Sequence, residues 1–142
     1  MYGMVVSITK GATPSCAIKT ADTALYSTTY EAYYPISCCQ MTDDGHILIS
    51  CGYNNSYYLA TIPVSVNMSS FAITKGTKNY TSSYYNNNTI QTHHRIFRLT
   101  DSTALVLTNY SGTLYAGVVT CAAGGTPSYG TFVSCGISSS GY

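Results

Sequence analysis

The chain has 142 residues, enough for one ordinary domain with a buried core. Charged residues make up 8% of it, against roughly 25% in an average soluble domain, and the net charge is +1. No basic field is available to hold phosphates, so no nucleic-acid partner is expected, and solubility falls to the hydroxyls and amides of Ser, Thr, Asn and Tyr.

The opening MYGMVVSITKG has no basic leader, and its apolar run is far too short for a signal segment or a membrane span. The expectation is export without a cleaved signal, or membership of a larger protein or particle. Two strands are predicted from Tyr2 to about Ile18. A full set of strands follows over residues 37–74, and another over 94–133. In the last set the apolar runs Ile96-Phe97-Arg98-Leu99, Ala104-Leu105-Val106-Leu107, Leu114 to Val119 and Thr131-Phe132-Val133 stand out. Between them lie Thr100-Asp101-Ser102, Asn109-Tyr110-Ser111-Gly112 and Gly124-Gly125-Thr126-Pro127-Ser128. Short β-branched runs bounded by Gly, Asn, Asp and Pro predict antiparallel strands joined by tight connections. No stretch sustains a helical period, so helices are expected to be absent or a single turn. The polar tail SCGISSSGY is expected to be loosely held.

These sets repeat. YGMVVSITKGATPS at the start matches YAGVVTCAAGGTPS, with Tyr2 and Tyr115, and Pro14 and Pro127, each 113 residues apart. A middle copy, YLATIPVSVNMSSF, begins at Tyr58 and divides that distance nearly in half. Met41-Thr42-Asp43 with His46 to Ile49 likewise matches Leu99-Thr100-Asp101 with Ala104 to Leu107. The whole chain, 1–142, therefore reads as one repeat domain: a half repeat at 2–18 and full repeats at 37–74 and 94–133. Four antiparallel strands in about 57 residues is the size of a β-propeller blade with a long inter-blade loop. The fold class predicted is all-β, with β-propeller-like blades. A β-sandwich of face-to-face units is the alternative, because a ring normally needs about 4–8 blades. Bare edge strands would aggregate, so a homo-oligomer or other partner chains are expected to cover them.

Chemistry-bearing groups are few. Asp43 and Asp101 recur at the same turn and are expected to close it through their own backbone. Nothing in the spacing of Asp22, Glu31, Asp43, Asp44 and Asp101 brings two carboxylates to one cleft as a glycosidase requires. His46, His93 and His94 show no ligand spacing and are expected at the surface or satisfied. The six cysteines permit disulfides but contain no Cys-x-x-Cys pair, and most lie in apolar runs as small hydrophobes, so free thiols are expected. No catalytic residue, metal site or cofactor is predicted.

Tyrosine is the unusual content: fifteen, with no Trp. Tyr30, Tyr33 and Tyr34 gather in one inter-repeat segment; Tyr84, Tyr85 and Asn86 lie in the other. Flat amphipathic rings beside amides make adaptable recognition surfaces and suit stacking on a sugar face. These six are the candidate ligand-binding residues, and long inter-unit loops are where such function tends to sit. The competing reading is that the rings cement one unit to the next. Sequons occur at Asn54, Asn67, Asn79, Asn87 and Asn109, and matter only in a eukaryotic secretory route.

The pattern FRLTDSTALVLTNYSGTLYAGVVTCAAGGTPSYGTFVS, echoed by CCQMTDDGHILISCGYNNSYYLATIPVSVNMSSFAIT, resembles the four-stranded repeat of β-propeller-like proteins of phage virions and prophage regions. The matching elements here are Leu99-Thr100-Asp101, Leu105-Val106-Leu107 with Tyr110, Tyr115 to Val119, and Gly130-Thr131-Phe132. Such repeats are similar to those of tail fibres, adhesins and particle-surface proteins. The resemblance implies a non-enzymatic virion or extracellular location, with contact to host surface or glycan, or else a purely structural decoration or assembly role.

Overall fold

The computed structural model describes residues 2–9, 15–24, 36–52, 58–81 and 94–138. Among them the chain is all-β, in three antiparallel sheets, none closed into a barrel. Strands β1 (Tyr2–Thr9) and β2 (Ser15–Ala24) form a hairpin. The next sheet holds β3 (Ser37–Gln40), β4 (His46–Gly52), β5 (Leu59–Val66), β6 (Ile73–Lys75) and β7 (Asn79–Tyr80). The last holds β8 (His94–Arg98), β9 (Thr103–Tyr110), β10 (Thr113–Thr120), β11 (Ser128–Tyr129) and β12 (Val133–Ser138). Both run first-second-third-fourth as a meander, the fourth strand being split into two pieces that pair with the third.

In the β3–β7 sheet the split has a local cause. Pro63, inside β5, has no N–H to offer an outer neighbour. Its carbonyl accepts from Gly76 at 2.8 Å, in the gap between β6 and β7. Val118 in β10 stands in the same place: its carbonyl accepts from Gly130 at 2.8 Å, in the gap between β11 and β12. Beyond that gap the stretch expected to be a loose tail pairs with β10 through residue 138. Ladder hydrogen bonds need no side chain, so its polar composition does not prevent this.

Backbone hydrogen bonds decide which way each sheet faces. Met41 N–H donates to His46 O at 2.7 Å and Val66 N–H to Gly45 O at 2.9 Å. In β4, therefore, the even-numbered residues bond toward β3 and the odd-numbered ones toward β5. Leu99 N–H donates to Thr103 O at 2.9 Å and Cys121 N–H to Ser102 O at 2.7 Å, so in β9 the odd-numbered residues bond toward β8. The sequence match sets Leu48 against Val106, whereas the hydrogen bonding sets it against Leu105. The turn Thr42–Gly45 holds one residue more than Thr100–Ser102, and a one-residue slip exchanges the two faces of a strand.

One core joins the two large sheets. Met41, Leu48 and Leu59 pack against Ile96, Val106, Val119 and Phe132, all buried. In a strand of L-residues, the side toward which a residue's backbone bonds fixes the face its side chain takes. Leu48 bonds toward the first strand of its sheet and Val106 toward the third strand of its own. The two sheets thus meet through opposite faces, front to back. β3 and β8, the two first strands, run close together, and Ile96 N–H donates to Ser37 Oγ at 3.1 Å. The other face of the β3–β7 sheet, with Ile49, Cys51, Ala60, Ile62 and Val64, is buried as a second cluster. The β1–β2 hairpin reaches this sheet at its outer edge, where Thr20 Oγ1 donates to Phe71 O at 2.5 Å.

Candidate functional site

The tight turn before β4 builds the most distinctive polar feature. Gly45 takes φ of 95°, in the left-handed region, and an added Cβ there would meet Val66 O at 2.2 Å. Only glycine lets β4 start this close to the end of β5. The result is His46 as the first residue of β4, opposite Ser65, with its side chain turned inward and 2% exposed. Neither imidazole nitrogen has a hydrogen-bond partner among the described residues. Burial lowers its pKa from the usual 6.5, with the Asp44 carboxylate opposing that effect, so the ring is neutral at physiological pH.

His46 lines an open cleft of about 400 Å³ shared with Asp44, Ser65, Val66, Asn67, Thr74 and Ala123. Asp44 is oriented by the Thr42 hydroxyl. Asn67 Oδ1 accepts from Ser69 N–H at 2.9 Å and Ser70 N–H at 2.8 Å, which fixes the turn on one side of the cleft. Ala123 comes from the turn after β10, so both sheets contribute. A neutral imidazole offers one donor and one acceptor, and the walls add hydroxyls, an amide and a carboxylate. These groups stand beside the apolar surface of Val66 and Ala123, so the cleft is mixed in character.

Sequence reasoning expected His46 to be exposed or satisfied; it is neither. Its only signal was a polar residue at a strand start beside a turn glycine. His94 is buried and satisfied, its Nε2 2.7 Å from the Ser50 carbonyl across the sheet interface. Among the described residues no group of three or more His, Cys, Asp or Glu could hold a metal. The six predicted ligand residues Tyr30, Tyr33, Tyr34, Tyr84, Tyr85 and Asn86 lie outside the described residues.

Several other expectations meet structure here. Asp101 does not close its turn: it pairs with Arg98 at the exposed surface, and Thr100 Oγ1 accepts from Thr103 N–H at 3.0 Å instead. Its shorter hydroxyl-bearing side chain reaches the backbone while the carboxylate goes to the guanidinium. Among the described residues no disulfide joins two cysteines; Cys51 and Cys121 are buried, and Cys38 and Cys135 are exposed. Asn79 is half-buried, with its amide donating to Pro127 O at 2.8 Å and its Oδ1 accepting from Tyr80 N–H, so this sequon is engaged internally. Tyr129 shows tyrosine acting as cement between sheets. Its hydroxyl lies 2.8 Å from Thr61 Oγ1, 3.1 Å from Asn79 O and 3.3 Å from Leu59 O, all in the other sheet, and burial holds the phenol protonated well above its ordinary range.

The fold and cleft define a class only: over the described residues, an all-β protein of antiparallel sheets that share a core, with a cleft to which both large sheets contribute. Comparison with protein-family models, curated proteins and solved structures finds no match to this chain. Among the described residues no helix is long and apolar enough to cross a membrane.

Proposed function

We propose that the chain is a non-enzymatic surface module of a virion or another extracellular assembly and that it recognises a neutral glycan. The observation that carries this reading is the buried imidazole of His46, without a partner among the described residues, at the edge of a cleft that also holds Ser65, Asn67 and Thr74. A buried polar group without a partner costs stability, and a ligand hydroxyl that reached the ring through a small shift of the cleft wall would relieve that cost. Tyr30, Tyr33, Tyr34, Tyr84, Tyr85 and Asn86 would contribute ring faces and an amide to recognition. In this reading the large sheets are propeller-like blades, supported by their front-to-back stacking and by the closeness of their first strands.

An oligosaccharide array followed by titration tests it. Binding to one class of neutral oligosaccharide is expected, weakened about tenfold in His46→Ala, the equivalent of one hydrogen bond. Absence of binding to every oligosaccharide on the array would sink the reading. A purely structural decoration or assembly role is the second reading, favoured by the inter-sheet anchoring of Tyr129.

A further inference from the structure

The last sheet leaves one face uncovered. Phe97 is 48% exposed, Val118 37% and Val133 60%, and all three lie on the side of β8–β12 away from the shared core. With Leu105, Ala116 and Gly130, Val118 and Val133 line a shallow, predominantly apolar depression of about 390 Å³. Hydrogen bonding identifies this face. Leu105 bonds toward the first strand of its sheet, as Leu48 does in the preceding one, and Val118 sits where Pro63 sits, before the same break in the fourth strand. Phe97 lies opposite Leu105, as Cys39 lies opposite Leu48. Cys39, Leu48 and Pro63 belong to the face by which the β3–β7 sheet packs onto its neighbour. Among the described residues no other sheet packs on their three counterparts, of which Phe97 and Val118 are exposed.

The β1–β2 hairpin, which meets the other large sheet at β6, also carries bare apolar groups. Val6 and Ile18 are cross-strand partners, 39% and 63% exposed, and Met4 is 56% exposed. The last sheet therefore shows its front, and the hairpin an apolar face. We propose that a second copy of this chain docks its β1–β2 hairpin onto the Phe97–Val118–Val133 face, continuing the front-to-back stacking from one molecule to the next. The contact is head-to-tail, so copies close into a ring or extend as a filament according to the rotation between them. Neither patch carries a run of like charges, and burial of apolar area drives the association. The inference rests on the stacking of the two sheets and stands apart from the glycan reading, which the array tests without reference to oligomeric state.

The test is complementation. Val118→Lys alters only the sheet face and Ile18→Lys only the hairpin, and both side chains are exposed, so each variant should fold with the wild-type circular dichroism spectrum. The wild-type chain is expected to self-associate in sedimentation velocity, while each variant alone sediments as a monomer. An equimolar mixture should form a dimer that grows no further, because one intact hairpin meets one intact sheet face. Val133→Lys replaces Val118→Lys should the latter fail to fold. A wild-type chain that stays monomeric at all concentrations overturns the proposal. So does an Ile18→Lys chain that associates as the wild type does, since the sheet faces would then pair with each other.

Discussion

The ring of Phe132 lies directly over Gly117, so close that a Cβ on Gly117 would sit 2.6 Å from two of its carbons. Gly117 is opposite Val106 in the core-facing row of β10, and Phe132 is 6% exposed. A missing side chain on one strand thus makes the seat for an aromatic one arriving from the link to β12. Gly117→Ala should displace the ring and cost about 1–3 kcal/mol, as overpacking does. Urea unfolding should show a lower midpoint with an unchanged slope.

Tyr129→Phe removes the hydroxyl that bridges to Thr61, Asn79 and Leu59. It leaves the Thr61 side chain, itself fully buried, with one partner fewer. The expected loss is about 1–2 kcal/mol, from one hydrogen bond and the desolvation left behind. Tyr129→Ala should cost more, about 3–5 kcal/mol, because the ring also packs against the shared core. Thermal unfolding of the two variants side by side separates the hydroxyl from the ring.

His46 makes stability depend on pH. Its folded-state pKa lies below 6.5, so between that value and 6.5 the unfolded chain binds more protons than the folded one. Stability should rise with pH through this window, level off above it, and fall as the solution is acidified. His46→Gln cannot take the proton, and its urea midpoint should change less between about pH 5 and about pH 8, where an ordinary histidine titrates. Equal pH slopes for the two proteins would show that His46 is not the group responsible.

Thiol reactivity should divide by burial. Cys38 and Cys135 are exposed and should be alkylated in the native chain. Cys51 and Cys121 are buried, and burial also raises the Cys121 pKa. Cys39 is pushed up to about 11, first by burial and then by neighbouring Cys38, against the pull of Arg98. Because the thiolate is the reactive form, these three should label only after denaturant is added, as peptide mass mapping would show. The side chain of Cys16 lies outside the described residues.

Strand content was legible from the chain because it depends on local chemistry. The β-branched runs bounded by the turns at Gly112 and Gly124, both with positive φ, could be read as strands and turns from residue types alone. The alternation in β9, with Ala104, Val106 and Thr108 buried between half-exposed neighbours, is equally local. The outward spread of tyrosine was less informative. Tyr129, outside the inter-repeat segments, bonds across the sheet interface through its hydroxyl, and nothing in its neighbours announces that.

Sequence by itself therefore determined an all-β chain with two similar strand sets, because turn residues and side-chain period act over a few positions. Tertiary structure alone decided which face of each set is buried. That choice turns on the parity of the hydrogen-bond ladder, and one additional residue in the turn Thr42–Gly45 reverses it relative to the sequence match. Tertiary structure also buried His46 without a partner among the described residues and left Phe97, Val118 and Val133 bare, since burial is settled by what packs above a strand and not by the strand's own residues.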